Sequence, residues 1–204
     1  ECSMAPRTVA RLRGGRGPIV IGALLLALLL VLALATVGLP GSGGEDDAAR
    51  VTEEERQVRV DDGVALDSSV FTPPADTPGA DGEGRRDAVV LAHGFGGSKD
   101  DMETMARDLA ADGFVALTYT ARGFGESGGR IHLNHPDREI ADVSVLIDRL
   151  AARDDVRRDG RDDPSVGVAG YSYGGAAALM AAGYDDRVDA VASAITWHDL
   201  GQAL

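Results

Sequence analysis

The sequence has little cysteine and few aromatic residues, and each shortage excludes a class of protein. The single cysteine, Cys2, allows no intrachain disulfide and no cysteine-rich zinc site. Aromatic residues make up only 4% of the chain, and 20 basic residues stand against 33 acidic ones, giving a formal net charge of −13. These values disfavour a surface of interleaved basic and aromatic side chains, so we expect no nucleic-acid partner. The 44% hydrophobic and 26% charged content is instead typical of a globular domain.

An uncharged apolar run near the N terminus predicts export. Residues 19–39 are long enough, at a helical rise of about 1.5 Å per residue, to cross a bilayer core of about 30 Å. The basic region 1–18 carries four arginines against one glutamate, and the positive-inside rule keeps such a flank in the cytoplasm. The triplet Ala33-Leu34-Ala35 also has the small-x-small form of a signal-peptidase site. We therefore predict a cleaved signal peptide or a transmembrane anchor, with the acidic remainder outside the cytoplasm.

The rest of the chain divides into a linker and one folded domain. Residues 40–55 are rich in Gly, Asp and Glu and predict the linker, so the domain is expected over residues 56–204. Apolar and polar residues alternate on both sides of Asp61-Asp62-Gly63, which predicts an antiparallel two-stranded hairpin.

Short apolar runs alternate with helical patterns beyond this hairpin. The runs predict strands over 88–92, 114–119, 166–169 and 188–195. Helices are predicted after a capping box formed by Ser98 and Asp101, after Pro136, and over residues 173–182. A hairpin followed by this alternation predicts an α/β fold, in which a mostly parallel sheet has helices on both faces.

The pattern G-x-S-x-G occurs twice, centred on Ser127 and Ser172, and only the context separates the two serines. A nucleophile elbow needs a strand before the serine, a helix after it and small neighbours, because the serine lies in a strained turn. Ser172 follows a predicted strand and precedes a helix that opens with glycine and alanine, whereas Ser127 leads into a loop. We predict that Ser172 is the nucleophile, and the alternative is that its hydroxyl only caps the helix.

A serine nucleophile also needs an oxyanion hole and a general base. Residues 93–97, His-Gly-Phe-Gly-Gly, directly follow the first predicted parallel strand, and their glycines free the backbone. We predict the backbone amides of Phe95 and Tyr173 as the two oxyanion donors. We expect His93 to brace this loop by a hydrogen bond. His198 directly follows the last predicted strand, too early for a triad histidine, and is expected to pack or to line the pocket.

Other patterns in the sequence are too weak to predict a cofactor or a metal. Residues 123–128 match G-x-G-x-x-G, but no helix follows directly, as a dinucleotide-binding loop requires. Lys99, the only lysine, follows a serine and not the glycine of a phosphate-binding loop. His132 and His135 lack acidic or cysteine partners at metal-ligand spacing. We therefore predict no cofactor and no metal site.

Five segments of the sequence belong together: HGFGGSK, ARGFGESGG, Asp163-Pro164, GYSYGG and ITWHDL. With them the chain resembles, over about residues 56–204, the Xaa-Pro dipeptidyl-peptidase and cocaine-esterase group of α/β-hydrolases. The resemblance implies an α/β-hydrolase fold whose serine attacks an ester or amide, with a lid and a C-terminal β-sandwich in full-length members. The best-known members use a tyrosine hydroxyl as the second oxyanion donor, where this sequence offers Phe95. The family's acid and histidine would lie past Leu204, so the chain is expected to be an inactive, truncated N-terminal fragment.

The sequence therefore predicts a serine hydrolase acting through an acyl-enzyme on Ser172. Its substrate would be a small peptide, cleaved as by an Xaa-Pro dipeptidyl-peptidase, or an ester. The alternative is a membrane-tethered binding module, attached through residues 19–39, that keeps the hydrolase fold and has lost catalysis.

Overall fold

The computed structural model describes residue 48, residues 50–197, and residues 199 and 201. The predicted basic region, the predicted membrane segment 19–39 and His198 lie outside the described residues. Within the described part of the chain, no helix is both long enough and apolar enough to cross a bilayer.

A six-stranded sheet forms the centre of the domain, in the order β1-β2-β4-β3-β7-β8. Its strands are β1 (Thr52–Arg59), β2 (Ala65–Thr72), β3 (Ala88–Ala92), β4 (Val115–Tyr119), β7 (Val166–Tyr171) and β8 (Val188–Ala194). β1 pairs antiparallel with β2, and β2 with β4, whereas β3 pairs parallel with β4 and β7, and β7 with β8. The short strands β5 (Arg158–Gly160) and β6 (Asp163–Pro164) form a separate pair. The predicted hairpin and mostly parallel sheet are confirmed.

Three helices cover the two faces of this sheet: α1 (Glu103–Ala111), α2 (Ala141–Ala151) and α3 (Tyr173–Tyr184). On one face, Ala106 and Ala110 of α1 pack on Phe71 and Leu91 of the sheet. On the other face, α2 and α3 bury a larger cluster, whose members include Val90, Leu117, Leu146, Ile147, Leu150, Val168 and Ala178. Burial of the valine, leucine and isoleucine side chains in this cluster contributes about 1.5 to 3 kcal/mol each. The predicted helices on both faces are therefore also confirmed.

The largest difference from the predicted elements lies at the start of the domain. β1 begins at Thr52, inside the segment 40–55 that composition predicts to be a linker, and so earlier than the predicted residue 56. Val58 is its one buried residue, and the others are exposed and mostly charged. Because β1 gains its stability from backbone pairing with β2 along its whole length, it lacks the apolar alternation by which a strand is found in a sequence.

A buried arginine joins the hairpin turn to helix α2. Arg122 donates to both oxygens of Asp142, at 2.7 and 2.5 Å, and also to Asp62 in the turn between β1 and β2, at 2.8 Å. The Arg122 and Asp142 side chains are only 4% and 3% exposed. The hydrogen bond from Arg122 lowers the pKa of Asp62 to about 2, whereas burial raises the pKa of Asp142 despite its charged partner. The buried carboxylate of Asp142 therefore depends on Arg122 to compensate its negative charge.

Replacing Arg122 by glutamine should destabilise the protein by about 3 to 5 kcal/mol at pH 7, because it leaves the Asp142 charge buried without a cation. Without Arg122 the folded-state pKa of Asp142 rises further above its unfolded value, so the folded variant takes up a proton as the pH falls. The loss should therefore be smaller at pH 5 than at pH 7. Urea unfolding at both pH values measures it.

Arg138→Gln is the matched control, since the Arg138 side chain is 45% exposed and donates to the same Asp62 at 2.8 Å. Its loss should stay below about 1 kcal/mol at both pH values, as for exposed ion pairs. Equal losses for the two variants, or a loss for Arg122→Gln that does not depend on pH, would contradict the account of Asp142.

Candidate active site

Ser172 lies in a sharp turn between β7 and α3. Its backbone angles are φ 53° and ψ −117°, in a region that a residue with a side chain adopts only under strain. The turn is held from both sides, because the Ser172 amide donates to Ala194 at 2.9 Å and the Ser172 carbonyl accepts from Ala176 at 3.1 Å. The hydroxyl makes no hydrogen bond that caps α3. The alternative role, in which Ser172 only caps the helix, therefore has no contact to support it.

Two glycines allow this turn, because α3 begins directly against the ends of β3 and β7. A Cβ atom on Gly170 would lie 2.6 Å from the carbonyl oxygen of Gly174 and 2.7 Å from that of Ala92. A Cβ atom on Gly174 would overlap the Ala92 carbonyl. The close approach of helix and sheet thus requires glycine two residues before and two residues after Ser172, as the elbow pattern predicts.

Gly174→Ala should destabilise the protein by about 1 to 3 kcal/mol or more, because the added methyl group forces α3 away from β3. Gly183→Ala in the last turn of the same helix is the control, since a Cβ there would have no atom within 4 Å apart from its chain neighbours and the helix's own backbone. It should be neutral, or stabilising by up to about 1 kcal/mol. Thermal unfolding followed by circular dichroism compares the two variants, and a similar response from both would contradict the packing argument.

The loop after β3 lines one cleft with Ser172. The cleft has a volume of about 350 Å³ and is bounded by Gly94, Phe95, Gly96, Gly97, Asp101, Tyr171 and Ser172. Within the described residues, the backbone N–H groups of Phe95 and Tyr173 have no hydrogen-bond acceptor. Two unpaired donors near a strained serine are what an oxyanion hole requires, so the arrangement is compatible with the predicted roles of both amides.

His93 braces the loop, as the sequence predicts. Its Nδ1 donates to the Gly94 carbonyl at 2.7 Å, and its Nε2 accepts from the Ala121 amide at 2.9 Å. Burial lowers the pKa of the imidazole and keeps it neutral, as the accepting nitrogen requires. Both ring nitrogens are occupied, so His93 connects the ends of β3 and β4 and has no free nitrogen for a substrate.

An aromatic cluster, which sequence patterns did not indicate, supports the cleft. Phe124 packs edge-on against His93, Phe95 and Tyr173, with ring centroids 5.4, 5.1 and 5.7 Å apart. Phe95 also meets Tyr173 edge-on at 5.6 Å. These contacts fix the oxyanion loop relative to the first residue of α3. The four rings come from three separate segments, so only the folded chain brings them together.

Ser127, the centre of the second G-x-S-x-G pattern, is a structural residue. Its hydroxyl donates to the Thr120 carbonyl at 2.6 Å and accepts from the Asp67 amide at 2.9 Å. The first hydrogen bond closes the loop after β4 on itself, the second holds that loop against β2, and together they occupy the hydroxyl. The structure therefore confirms that Ser127 does not suit a nucleophile.

The two histidines of H-x-x-H belong to a loop held against α3. Glu139 accepts from the backbone amides of His132 and His135, and the Nδ1 atom of His135 accepts from the Asp137 amide at 3.2 Å. Nearby, the Asn134 side chain donates to the Tyr173 carbonyl at 3.0 Å. No group of three or more potential metal ligands occurs in the part of the chain that the structure describes.

No histidine of the described residues is hydrogen-bonded to Ser172. His198, the only histidine that follows Ser172 in the sequence, lies outside the described residues.

The sheet order, the strained elbow after β7 and the glycine-rich loop after β3 together define an α/β-hydrolase. A family model described as serine aminopeptidase, S33 (Hydrolase_4), matches residues 83–199. The chain belongs to this family. The predicted membership of the α/β-hydrolases is thus confirmed, whereas the finer resemblance to the Xaa-Pro dipeptidyl-peptidase group stays a prediction.

The alignments between this chain and individual relatives cover only part of each relative's length. The uncharacterized protein YcjY of Escherichia coli is 32% identical over 130 residues, covering 63% of this chain and 40% of that protein. A monoacylglycerol lipase of Mycolicibacterium smegmatis is 30% identical over 116 residues, covering 55% of this chain and 35% of the lipase. The crystal structure of a hypothetical protein from Pseudomonas aeruginosa matches with a TM-score of 0.60 and 28% identity, over 79% of this chain and 49% of that one. The chain spans less than half the length of these relatives.

Proposed function

We propose that the protein hydrolyses carboxylic esters through an acyl-enzyme on Ser172. The observation that carries the proposal is the strained turn at φ 53°. In this turn the Ser172 hydroxyl does not cap the helix, and Ser172 lines a cleft together with the loop of Phe95. Strain of this kind costs of order 1 to 3 kcal/mol and persists where the surrounding structure enforces it. A binding module has no need of such a turn, so the geometry favours catalysis.

In the proposed mechanism the Ser172 hydroxyl oxygen attacks the substrate carbonyl carbon. A histidine from outside the described residues takes the hydroxyl proton and delivers it to the leaving alcohol. The backbone amides of Phe95 and Tyr173 donate to the oxyanion, and loss of one such donor raises the barrier by about 3 kcal/mol. Water then attacks the acyl-enzyme and releases the acid, which regenerates the serine.

An ester is the preferred substrate class because a lipase is among the relatives of this chain. A peptide cleaved after an Xaa-Pro pair is the second candidate. It is favoured by the segments ARGFGESGG and GYSYGG, which carry the resemblance to that group. Short acyl esters and Xaa-Pro amides, compared by kcat/KM on one preparation, distinguish the two candidates.

A fluorophosphonate probe should label protein made from the complete reading frame, and Ser172→Ala should abolish the labelling. The reagent reacts with activated serines only, so the modified residue identifies the nucleophile. Peptide mass spectrometry locates the adduct.

Ser127→Ala is the matched control, because it removes the serine of the other G-x-S-x-G pattern and should leave the adduct at position 172. Labelling that persists in Ser172→Ala would contradict the assignment. Well-folded wild-type protein that does not react would favour the alternative, a membrane-tethered binding module.

We also propose that the hydrolase domain acts outside the cytoplasm, delivered by residues 19–39. The four arginines within residues 1–18, before an uncharged apolar run, support this orientation. External protease should digest the domain in intact cells or the domain should appear in the medium, and the mass of the mature chain shows whether Ala35 is the last residue removed. Recovery of the whole protein in the cytoplasmic fraction would contradict the proposal.

A further inference from the structure

We propose that Asp101, Phe95 and Tyr171 make the cleft beside Ser172 selective for esters that carry a positively charged group. The inference rests on the proposed ester hydrolysis and names the chemical class of substrate that the cleft selects.

Asp101 provides an uncompensated negative charge in the cleft. Among the described residues that line it, Asp101 has the only charged side chain. Its Oδ2 atom accepts from the Ser98 amide at 2.9 Å, whereas Oδ1 makes no hydrogen bond within the described part of the chain. The nearby ammonium group of Lys99 is occupied elsewhere, by Glu55 at 2.9 Å and Ser69 at 3.0 Å. One carboxylate oxygen is therefore free to receive a cation from a ligand.

Two exposed aromatic rings border the same cleft. Phe95 is 62% exposed and Tyr171 is 37% exposed. The Phe95 ring is held by its edge-on contact with Phe124 at 5.1 Å, and the Tyr171 ring packs so closely on Gly94 that a Cβ atom there would lie 2.7 Å from it. Fixed aromatic faces beside a carboxylate are the combination that binds organic ammonium groups, through cation–π and charge interactions.

A carboxylate in this position also acts against the hydrolysis of neutral esters. The transition state places a negative charge on the carbonyl oxygen, and Asp101 in the same cleft repels it. A substrate cation bound at Asp101 neutralises the carboxylate and removes the repulsion. Asp101 should therefore slow neutral esters and favour cationic ones, and the net charge of −13 attracts cationic substrates as well.

Two esters of the same acid test the inference on protein from the complete reading frame. A choline ester carries a quaternary nitrogen, and the 3,3-dimethylbutyl ester has a carbon in its place, so the two differ mainly in charge. Wild-type protein should show the higher kcat/KM for the choline ester. Asp101→Asn keeps an oxygen for the Ser98 amide, and should lower kcat/KM for the choline ester about 10-fold while raising it for the neutral ester.

Asp100→Asn is the matched control, because it removes an adjacent carboxylate whose side chain is 76% exposed and does not line the cleft. It should leave the ratio of the two kcat/KM values unchanged. Opposite shifts in Asp101→Asn support the inference, since a merely structural role in the capping box would lower both values together.

Three outcomes would overturn the inference: equal losses for both esters in Asp101→Asn, no change in either, or a wild-type preference for the neutral ester. If one of these outcomes occurs while the neutral ester is hydrolysed and the probe labels Ser172, only the inference about charge selectivity fails and the proposed ester hydrolysis remains. If neither ester is hydrolysed and the probe does not react, the proposed function fails together with the inference.

Discussion

The close packing of α3 against the ends of β3 and β7 is the constraint on which the site depends. The helix begins so close to the strand ends that no Cβ atom fits at Gly170 or Gly174. Ser172 adopts φ 53° in the turn between β7 and α3, and its amide donates to the carbonyl of Ala194 at the end of β8. The strain is stored where the surrounding sheet and helix over-determine the backbone. A partly exposed serine at the C-terminal edge of the parallel strands is the consequence.

The loops around the serine are held by polar side chains whose hydrogen-bonding groups are occupied by partners within the protein. His93 joins the ends of β3 and β4, Ser127 binds the loop after β4 to β2 by accepting from Asp67, and Arg122 connects the same loop to the hairpin and to α2. Their partners are mainly backbone groups or buried charges, so these residues organise the site and do not react. By contrast, the Ser172 hydroxyl and one oxygen of Asp101, both at the cleft, have no hydrogen-bond partner among the residues that the structure describes. The division between occupied and free groups suggests which residues meet a substrate.

Much of this arrangement follows from the sequence, and the remainder depends on contacts between distant segments. The apolar runs located β3, β4 and β7 because buried parallel strands are apolar on both faces. The apolar run 188–195 also located β8, although most residues of that strand are exposed. The flanking strand and small residues separated Ser172 from Ser127, since local backbone geometry decides which serine can occupy an elbow. The start of β1 was not predicted, because an edge strand of exposed charged residues lacks an apolar pattern. The contact between the rings of Phe95 and Phe124, and the presence of Asp101 in the same cleft as Ser172, could not be predicted, because these residues come together only in the folded chain.

The central claim is that the Ser172 hydroxyl and the amides of Phe95 and Tyr173 converge on one substrate carbonyl. The most direct test is a crystal structure of the protein after reaction with a phosphonate, whose tetrahedral phosphorus mimics the acyl-transfer transition state. The account predicts an adduct on Ser172 with its phosphoryl oxygen about 2.7 to 3.1 Å from both amide nitrogens. A phosphoryl oxygen directed into solvent, or a Ser172 backbone with negative φ at the start of a regular helix, would contradict it.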